Sequence, residues 1–382
     1  MLAVTMLLAI LAGAWSVAGT VLAPVLPGGG WTVLGAALAL TAVPFATLIG
    51  TRLRRAYPGA FVRLFVFRPF WYAQFLVLLV TLTSTGGALL GLPFGRAAEA
   101  GRLAAVATVA LFGLAAIAGY FGSRRLEVRR FVATLPGLPS GLEGLVVAQL
   151  SDLHVGPHSS RRFLERAAEA VRAARPVLIA VTGDLIDDFP DDVERYREVF
   201  GGLGAPLGVY VIPGNHEVYA GWDAVLERLR RLPVTTLVNR SVMLEHNRAR
   251  FAVAGTGDPA FGPGTGGEAA PDIARTLADV PPGTFVLALA HNPALWPSLA
   301  ARGVDLTLSG HTHWGQLAFP RLGWSLANPF LRLAMGAHAS GRSLLYIHPG
   351  TGYWGLPFRL GHSAQVAVIT LRRGESVAFS EA

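Results

Sequence analysis

Two textures divide the chain. Up to about residue 125, apolar residues run in four long stretches, Leu2–Leu22, Trp31–Ile49, Tyr72–Leu92 and Leu103–Phe121. None of the four holds an Asp, Glu, Lys or Arg, and each approaches or reaches the ~20 residues a helix needs to cross a bilayer. They predict four transmembrane helices. Packed instead as core helices, four such segments in succession would leave no polar face for water. Beyond residue 144 the apolar runs are short and rich in β-branched residues: Leu145–Ala148, Val177–Val181, Val209–Ile212, Phe285–Leu289 and Val304–Leu308. Runs of this length and composition predict strands buried on both faces. Between the first two, Phe163, Leu164, Ala167, Ala168 and Val171 recur at helical spacing within Arg161–Arg175, so a β-α-β unit is expected there.

Each predicted strand runs into a short polar motif. In order these are Asp152-Leu153-His154, Gly183-Asp184, Gly214-Asn215-His216-Glu217, His291 and Gly310-His311-Thr312-His313. Ligands placed just past strand ends are where α/β sheets build their sites. Gly183, Gly214 and Gly310 are expected as turn residues beside them. Five of the ten His residues fall inside these motifs. Taken singly, an Asp or a His is more often a satisfied polar residue than a ligand; this many in order, each after a strand, are hard to place by coincidence. The chain has no Cys, which excludes disulfides and thiolate ligands. The remaining oxygen and imidazole donors suit Mn, Fe, Zn or Ni.

Those five motifs together resemble the calcineurin-like metallophosphoesterase superfamily over roughly residues 143–372. Within it the chain is similar to membrane-attached bacterial phosphoesterases and to animal transmembrane proteins with a metallophosphoesterase domain. The stretch Gly350–Gly361 (GTGYWGLPFRLG) carries that closer likeness, with His348-Pro349 before it as a departure at positions that are not ligands. The resemblance implies an α/β fold, a four-layer α-β-β-α sandwich. It also implies two divalent metal ions. Asp152, His154, Asp184 and His313 would hold one, and Asp184, Asn215, His291 and His311 the other, with Asp184 bridging. The implied activity is hydrolysis of a phosphate ester, a phosphodiester before a monoester, by a metal-bridging hydroxide. His216 would protonate the leaving oxygen or steady the transition state. Asp184, Asn215 and His216 are therefore the catalytic candidates. Chemistry agrees independently, because paired cations need a shared carboxylate and can clamp a phosphoryl group. His311 and His313, two apart, would share a face on an extended segment, whereas a bend after Gly310 would aim them at different metals. Asp187, Tyr219 and Glu217 read as supporting or surface residues, and His158 and His348 as candidate substrate contacts.

Charge separates the two halves. Residues 1–130 hold eleven Arg and two acids, a balance of +9, while the rest of the chain carries −1, giving the overall +8. The basic excess belongs to the apolar half, so it is a topology signal and no nucleic-acid partner is expected. Arg52, Arg54, Arg55, Arg63 and Arg68 lie between the second and third stretches. Arg124, Arg125, Arg129 and Arg130 follow the fourth. The positive-inside rule puts both segments, and with them the catalytic domain, on the cytoplasmic side of a cell membrane. The expected organisation is a four-span region over residues 1–125, a basic, Pro- and Gly-containing linker over 126–144, and a catalytic domain over 145–382. Phe261–Gly267 is a Gly-rich loop. Leu322–Met335, with Trp324, Leu326, Phe330, Leu331 and Leu333, is either a packed loop or short helix, or an apolar rim that meets the bilayer and receives a lipid-linked phosphate ester. In the second case Arg321, Arg332 and Arg359 would meet phosphate oxygens. Two other classes compete: a membrane-anchored sensor or scaffold that binds metal or nucleotide without turnover, and a transporter, for which the uncharged spans supply no ion path.

Overall fold

The computed structural model describes residues 2–53, 57–262 and 269–382. Arg54, Arg55 and residues 263–267 of the Gly-rich loop lie outside them. The chain divides into two compact units, Met1–Ala118 and Gly119–Ala382.

The first unit is helical. Among the described residues, four helices are long and apolar enough to cross a membrane: Leu8–Val25, Gly30–Thr51, Ala60–Phe94 and Ala97–Gly122. The third starts well before Tyr72, so Arg63 and Arg68, expected in a loop, lie on its first turns. A 35-residue helix is about 50 Å long, well beyond a ~30 Å hydrocarbon core, and its basic turns need not enter that core. Large apolar side chains such as Trp31, Leu82, Leu90 and Leu111 face outward. The interior holds small residues and Val77 and Val80. A Cβ on Gly87 would lie 2.8 Å from the Ala100 oxygen, and one on Gly101 3.0 Å from the Ser84 oxygen. Glycine thus lets the third and fourth helices approach closely, as small-residue seams do in membranes. Buried Gln74 is satisfied by Trp15 Nε1 at 3.3 Å and the Leu40 carbonyl at 3.0 Å.

The second unit contains the strands β1 Leu126–Leu135, β2 Val146–Leu150, β3 Leu178–Thr182, β4 Val209–Ile212, β5 Thr235–Thr236, β6 Arg240–His246, β7 Ala249–Gly255 and β8 Phe285–Leu289. They are followed by β9 Leu306–Ser309, β10 Ala318–Phe319, β11 Trp324–Ser325, β12 Gly336–Ser340, β13 Ser343–Ile347, β14 Ala364–Arg373 and β15 Ala378–Glu381. One mixed sheet has the order β15-β1-β14-β2-β3-β4-β5 and the other β12-β13-β9-β8-β7-β6. Alternate residues explain the layers. Val147, Leu178, Tyr210, Leu287 and Leu308 point into a core between the sheets. Their neighbours Ala148, Ile179 and Val211 point the other way, onto Leu164, Ala167 and Val171 of helix Arg161–Ala174. Ala252, Val286 and Ala288 likewise meet Leu299 and Val304 outside the second sheet. Period two along each strand therefore builds the two inner sheets and both outer layers.

One expectation fails here. Residues 126–135 are no linker: they form β1, parallel to β14 with Leu126 opposite Ala364 and antiparallel to β15 with Phe131 opposite Glu381. Phe131, Ala133 and Leu135 enter the main core. The adjacent Arg129 and Arg130 obscured the strand pattern, and its partners lie more than 200 residues away. Leu322–Met335 contains no α-helix; it carries β11 and turns.

Candidate metal centre

The five motifs sit at the carboxyl ends of β2, β3, β4, β8 and β9. Backbone bonds tie the first two loops into one strip: Asp152 N–H donates to the Gly183 oxygen and His154 N–H to the Asp184 oxygen, each at 3.0 Å. Asp152, His154, Asp184, His311 and His313 all have positive φ, from 43° to 72°. Such conformations cost free energy in non-Gly residues and persist where the surroundings over-determine them. The motif glycines serve two different ends. Gly183 has φ +85°, whereas Gly214 and Gly310 are needed for space: an added Cβ would meet Asp184 Oδ1 at 2.2 Å and Asp152 Oδ2 at 2.3 Å respectively.

The polar side chains converge in two overlapping groups. His313 Nε2 lies 3.0 Å from His154 Nε2 and 3.3 Å from Asp152 Oδ1. His291 Nε2 lies 3.3 Å from Asn215 Oδ1, which is 2.8 Å from His311 Nδ1. Asp184 Oδ2 joins the groups, 3.2 Å from His291 Nε2 and 3.7 Å from His154 Nε2. The bend at Gly310 does send His311 and His313 to different groups. Asp152, His154 and His313 offer ligand atoms within 4.8 Å of one another, as do Asp152, Asp184 and His291, and His154, Asp184 and His216. Asp152 Oδ2 and His313 Nδ1 are buried without a hydrogen-bond partner. Buried imidazole nitrogens and carboxylate oxygens facing one another at these distances fit divalent cations.

The sequence profile of calcineurin-like phosphoesterases matches residues 145–315. An uncharacterized metallophosphoesterase of Helicobacter pylori J99 is 30% identical over 263 residues, 67% of this chain and 68% of that protein. This chain belongs to the calcineurin-like phosphoesterase family. A zebrafish (Danio rerio) transmembrane protein with metallophosphoesterase domain is 31% identical over 250 residues, 62% of this chain. The chain spans 55% of that relative's length, and 63% of a related uncharacterized metallophosphoesterase of Campylobacter jejuni. Among solved structures, Haemophilus influenzae NAD nucleotidase aligns with TM-score 0.40 and 14% identity, over 62% of this chain and 49% of that one, too slight a likeness to bear on activity.

Glu217 holds the loops together. It is fully buried, and its carboxylate accepts the backbone N–H groups of Asp184 (2.9 Å), Leu185 (2.8 Å), Ile186 (3.1 Å) and Gly214 (2.8 Å). Burial and the Asp184 charge push its pKa up to about 7, while the four donors favour the carboxylate form. Asp184 also accepts from His216 N–H at 2.9 Å. Burial alone would raise its pKa; His291, His154 and His216 outweigh this and hold it well below the carboxylate range. Burial and neighbouring His291 bring His311 down to about 4, and burial with His154 depresses His313. Those two are thus held as neutral imidazoles, the form that binds metal; at His291 burial is outweighed by the Asp184 carboxylate, which raises the pKa well above its ordinary value.

Asp187, read from sequence as a supporting residue, serves three histidines. Its carbonyl oxygen lies 2.6 Å from His216 Nδ1, and its carboxylate lies 3.5 Å from His154 Nδ1 and 3.4 Å from His158 Nε2. His348, a candidate substrate contact, is fully buried, and its Nδ1 accepts from Gly350 N–H at 2.9 Å. Arg359 does not reach outward to phosphate. It is buried and donates to the carbonyls of Pro349, Gly350 and Gly352. The same loop donates Thr351 N–H to Ser151 O and Gly352 N–H to Asp152 O, both at 2.8 Å. Arg359 thus braces the loop behind Asp152. Its place in the Gly350–Gly361 stretch was the only sequence signal for it.

Proposed function

We propose that this chain hydrolyses a phosphodiester, carried on a lipid, at a two-cation centre on the cytoplasmic side of a cell membrane crossed by its four apolar helices. The observation that carries the chemistry is Asp184 Oδ2, which faces His291 Nε2 at 3.2 Å and His154 Nε2 at 3.7 Å. Asp152, His154, Asp184 and His313 would hold one cation, and Asp184, Asn215, His291 and His311 the other. Two divalent cations bound there supply Lewis acidity and a water acidic enough to act as nucleophile near neutral pH. Glu217 fixes the backbone on which Asp184 and Asn215 stand. His216 Nδ1–H donates to the Asp187 carbonyl, so Nε2 is the nitrogen that, with the ring as imidazolium, gives up its proton to the leaving oxygen and is left as the neutral Nδ1–H imidazole. Asn215 adds an oxygen donor without adding negative charge. Arg359 spends its donors on backbone carbonyls. With its donors so engaged, Arg359 does not offset the second negative charge of a monoester, which favours the singly charged diester.

The test is hydrolysis of an aryl phosphodiester and its monoester by the purified full chain in detergent. The full chain is needed because a cut at residue 131 would split β1. Cleavage removed by chelator, restored by Mn and faster on the diester is expected. Equal or faster cleavage of the monoester overturns the diester preference, and cleavage indifferent to chelator overturns the cation centre. The orientation rests on the basic segments flanking the second and fourth spans; an active alkaline-phosphatase fusion at residue 382 would overturn it.

A further inference from the structure

Between the last metal motif and β12 the chain makes an excursion that turns large apolar side chains outward. Leu322 is 78% and Phe330 79% exposed, and Phe319, Trp324, Leu326 and Leu331 are exposed with them. Phe319 stacks on Trp324 with ring centroids 6.1 Å apart. Single exposed apolar residues are ordinary; a contiguous group of six on one excursion marks a surface that meets an apolar partner. The excursion is anchored from beneath by buried Ala318, Ser325, Ala327 and Ala334. Its outer side chains are therefore held on an ordered base.

Three observations identify the partner as a lipid bilayer. The first is position. Leu317 bridges Leu360, with Ala318 N–H donating to Leu360 O and Leu360 N–H to Gln316 O, each at 3.0 Å. Leu360 lies four residues before Ala364, which pairs with Leu126 and donates to the Arg125 oxygen at 3.1 Å. Gly122 ends the fourth apolar helix, so the chain enters this domain beside the excursion. The three residues Ser123–Arg125 reach about 10 Å at most. The second is charge. No Asp or Glu occurs between Asp305 and Glu375, while Arg321 and Arg332 are exposed on the excursion. An acid-free, basic and apolar surface matches anionic headgroups over acyl chains. The third is chemistry. Trp324 and Trp354 are half-exposed, and indole favours the interfacial layer, with its ring in the apolar phase and its N–H in the wet one.

The excursion also adjoins the metal loops. Gln316 bonds Trp354 through both its amide atoms, at 3.1 Å each, and the Trp354 ring lies 6.2 Å from the His216 ring. We propose that the Phe319–Leu331 surface docks into the interfacial layer of an anionic bilayer, so that the metal loops open at headgroup depth and the site takes phosphate esters of membrane lipids. The last clause rests on the phosphoesterase reading; the docking does not.

Because the chain has no Cys, single labels test the docking in the full chain. Leu322→Cys, Phe330→Cys and, as a control before β9 at the far strand end, Ala301→Cys would carry an environment-sensitive fluorophore. The labelled chains would be reconstituted into phosphatidylcholine vesicles with or without phosphatidylglycerol. Docking predicts that a lipid-borne quencher acts at least three-fold more strongly at 322 and 330 than at 301, and that aqueous iodide does the reverse. Equal iodide access at all three sites overturns it. So does shielding from both quenchers that grows with protein density, which would mean that a second copy covers the face. Arg321→Gln with Arg332→Gln should lower lipid quenching only in phosphatidylglycerol vesicles; no change there removes the anionic component. For the substrate clause, Leu322→Ser with Phe330→Ser should slow hydrolysis of a vesicle-embedded phospholipid diester about ten-fold and leave a soluble aryl diester unaffected. Equal rates on the lipid diester overturn that clause while the quenching result stands. A wild-type chain that docks but cleaves neither ester sinks the phosphoesterase reading instead.

Discussion

The metal loops and the apolar excursion follow one another in the chain, separated by Trp314–Gln316, yet they obey opposite rules. In the loops polar groups are buried: Asp152, His154, Asp184 and His291 are at most 2% exposed. In the excursion apolar groups are outside. Burying a charge is costly unless it is paired and hydrogen-bonded, and exposing contiguous apolar surface is costly unless something covers it. The protein handles the first cost with a dense set of backbone donors on Glu217 and Asp184. Nothing within the excursion offsets the second. On the proposed reading the two regions differ in what would complete them: cations in one case, an apolar phase in the other.

Substitution should separate the regions sharply. Asp184→Ala should abolish bound metal and reduce hydrolysis to background, measured by elemental analysis and turnover on the same sample. Retained metal stoichiometry would show that Asp184 does not join the two donor groups. His216→Ala should keep the metal and lose about 10²–10⁴ in kcat. Loss of metal with it would make His216 a ligand rather than a proton carrier, and full retained turnover would remove it from the chemistry.

Glu217→Ala strands four buried N–H groups and should lower unfolding free energy by about 3 kcal/mol or more, read by denaturant titration. A change under ~0.5 kcal/mol would mean that the loops hold without it. Acid sharpens the contrast further. Burial brings His348, and partial burial His362, down to about 3, and the nearby Arg359 charge adds to the effect. Between that value and about 6.5 the unfolded chain binds protons that the folded chain does not. Stability from these groups is therefore complete above pH 6.5 and falls as pH drops through the window, by roughly 3 kcal/mol per residue at pH 4.5. His348→Asn should flatten the slope of stability against pH between 6.5 and 4.5; an unchanged slope would show that His348 is no buried neutral group. At the small end, Leu322→Ser should leave stability within about 0.5 kcal/mol, since its side chain touches solvent. A larger loss would mean that the excursion packs on the domain.

The amino-acid pattern alone located a great deal. Long uncharged runs marked four helices, because a helix in hydrocarbon can leave few polar groups unsatisfied. Short β-branched runs ending at Asp152, Asp184, Asn215, His291 and His311 marked the strands that carry the polar motifs, because strands buried on both faces read as continuous apolar runs. Other features were invisible for stated reasons. The strand Leu126–Leu135 hid because two adjacent arginines break its pattern and its partners are remote in sequence. Gly214 and Gly310 read as turns, whereas close approach of Asp184 and Asp152 requires them. The left-handed backbone at five of the candidate ligands has no sequence signature in Asp or His. Glu217 and Arg359 are ordinary charged residues until the fold buries them against backbone donors and carbonyls. Residue type and order determined the donors and the strand ends that carry them; tertiary packing decided which atoms face one another, because distances between loops of two different sheets depend on the core that joins them.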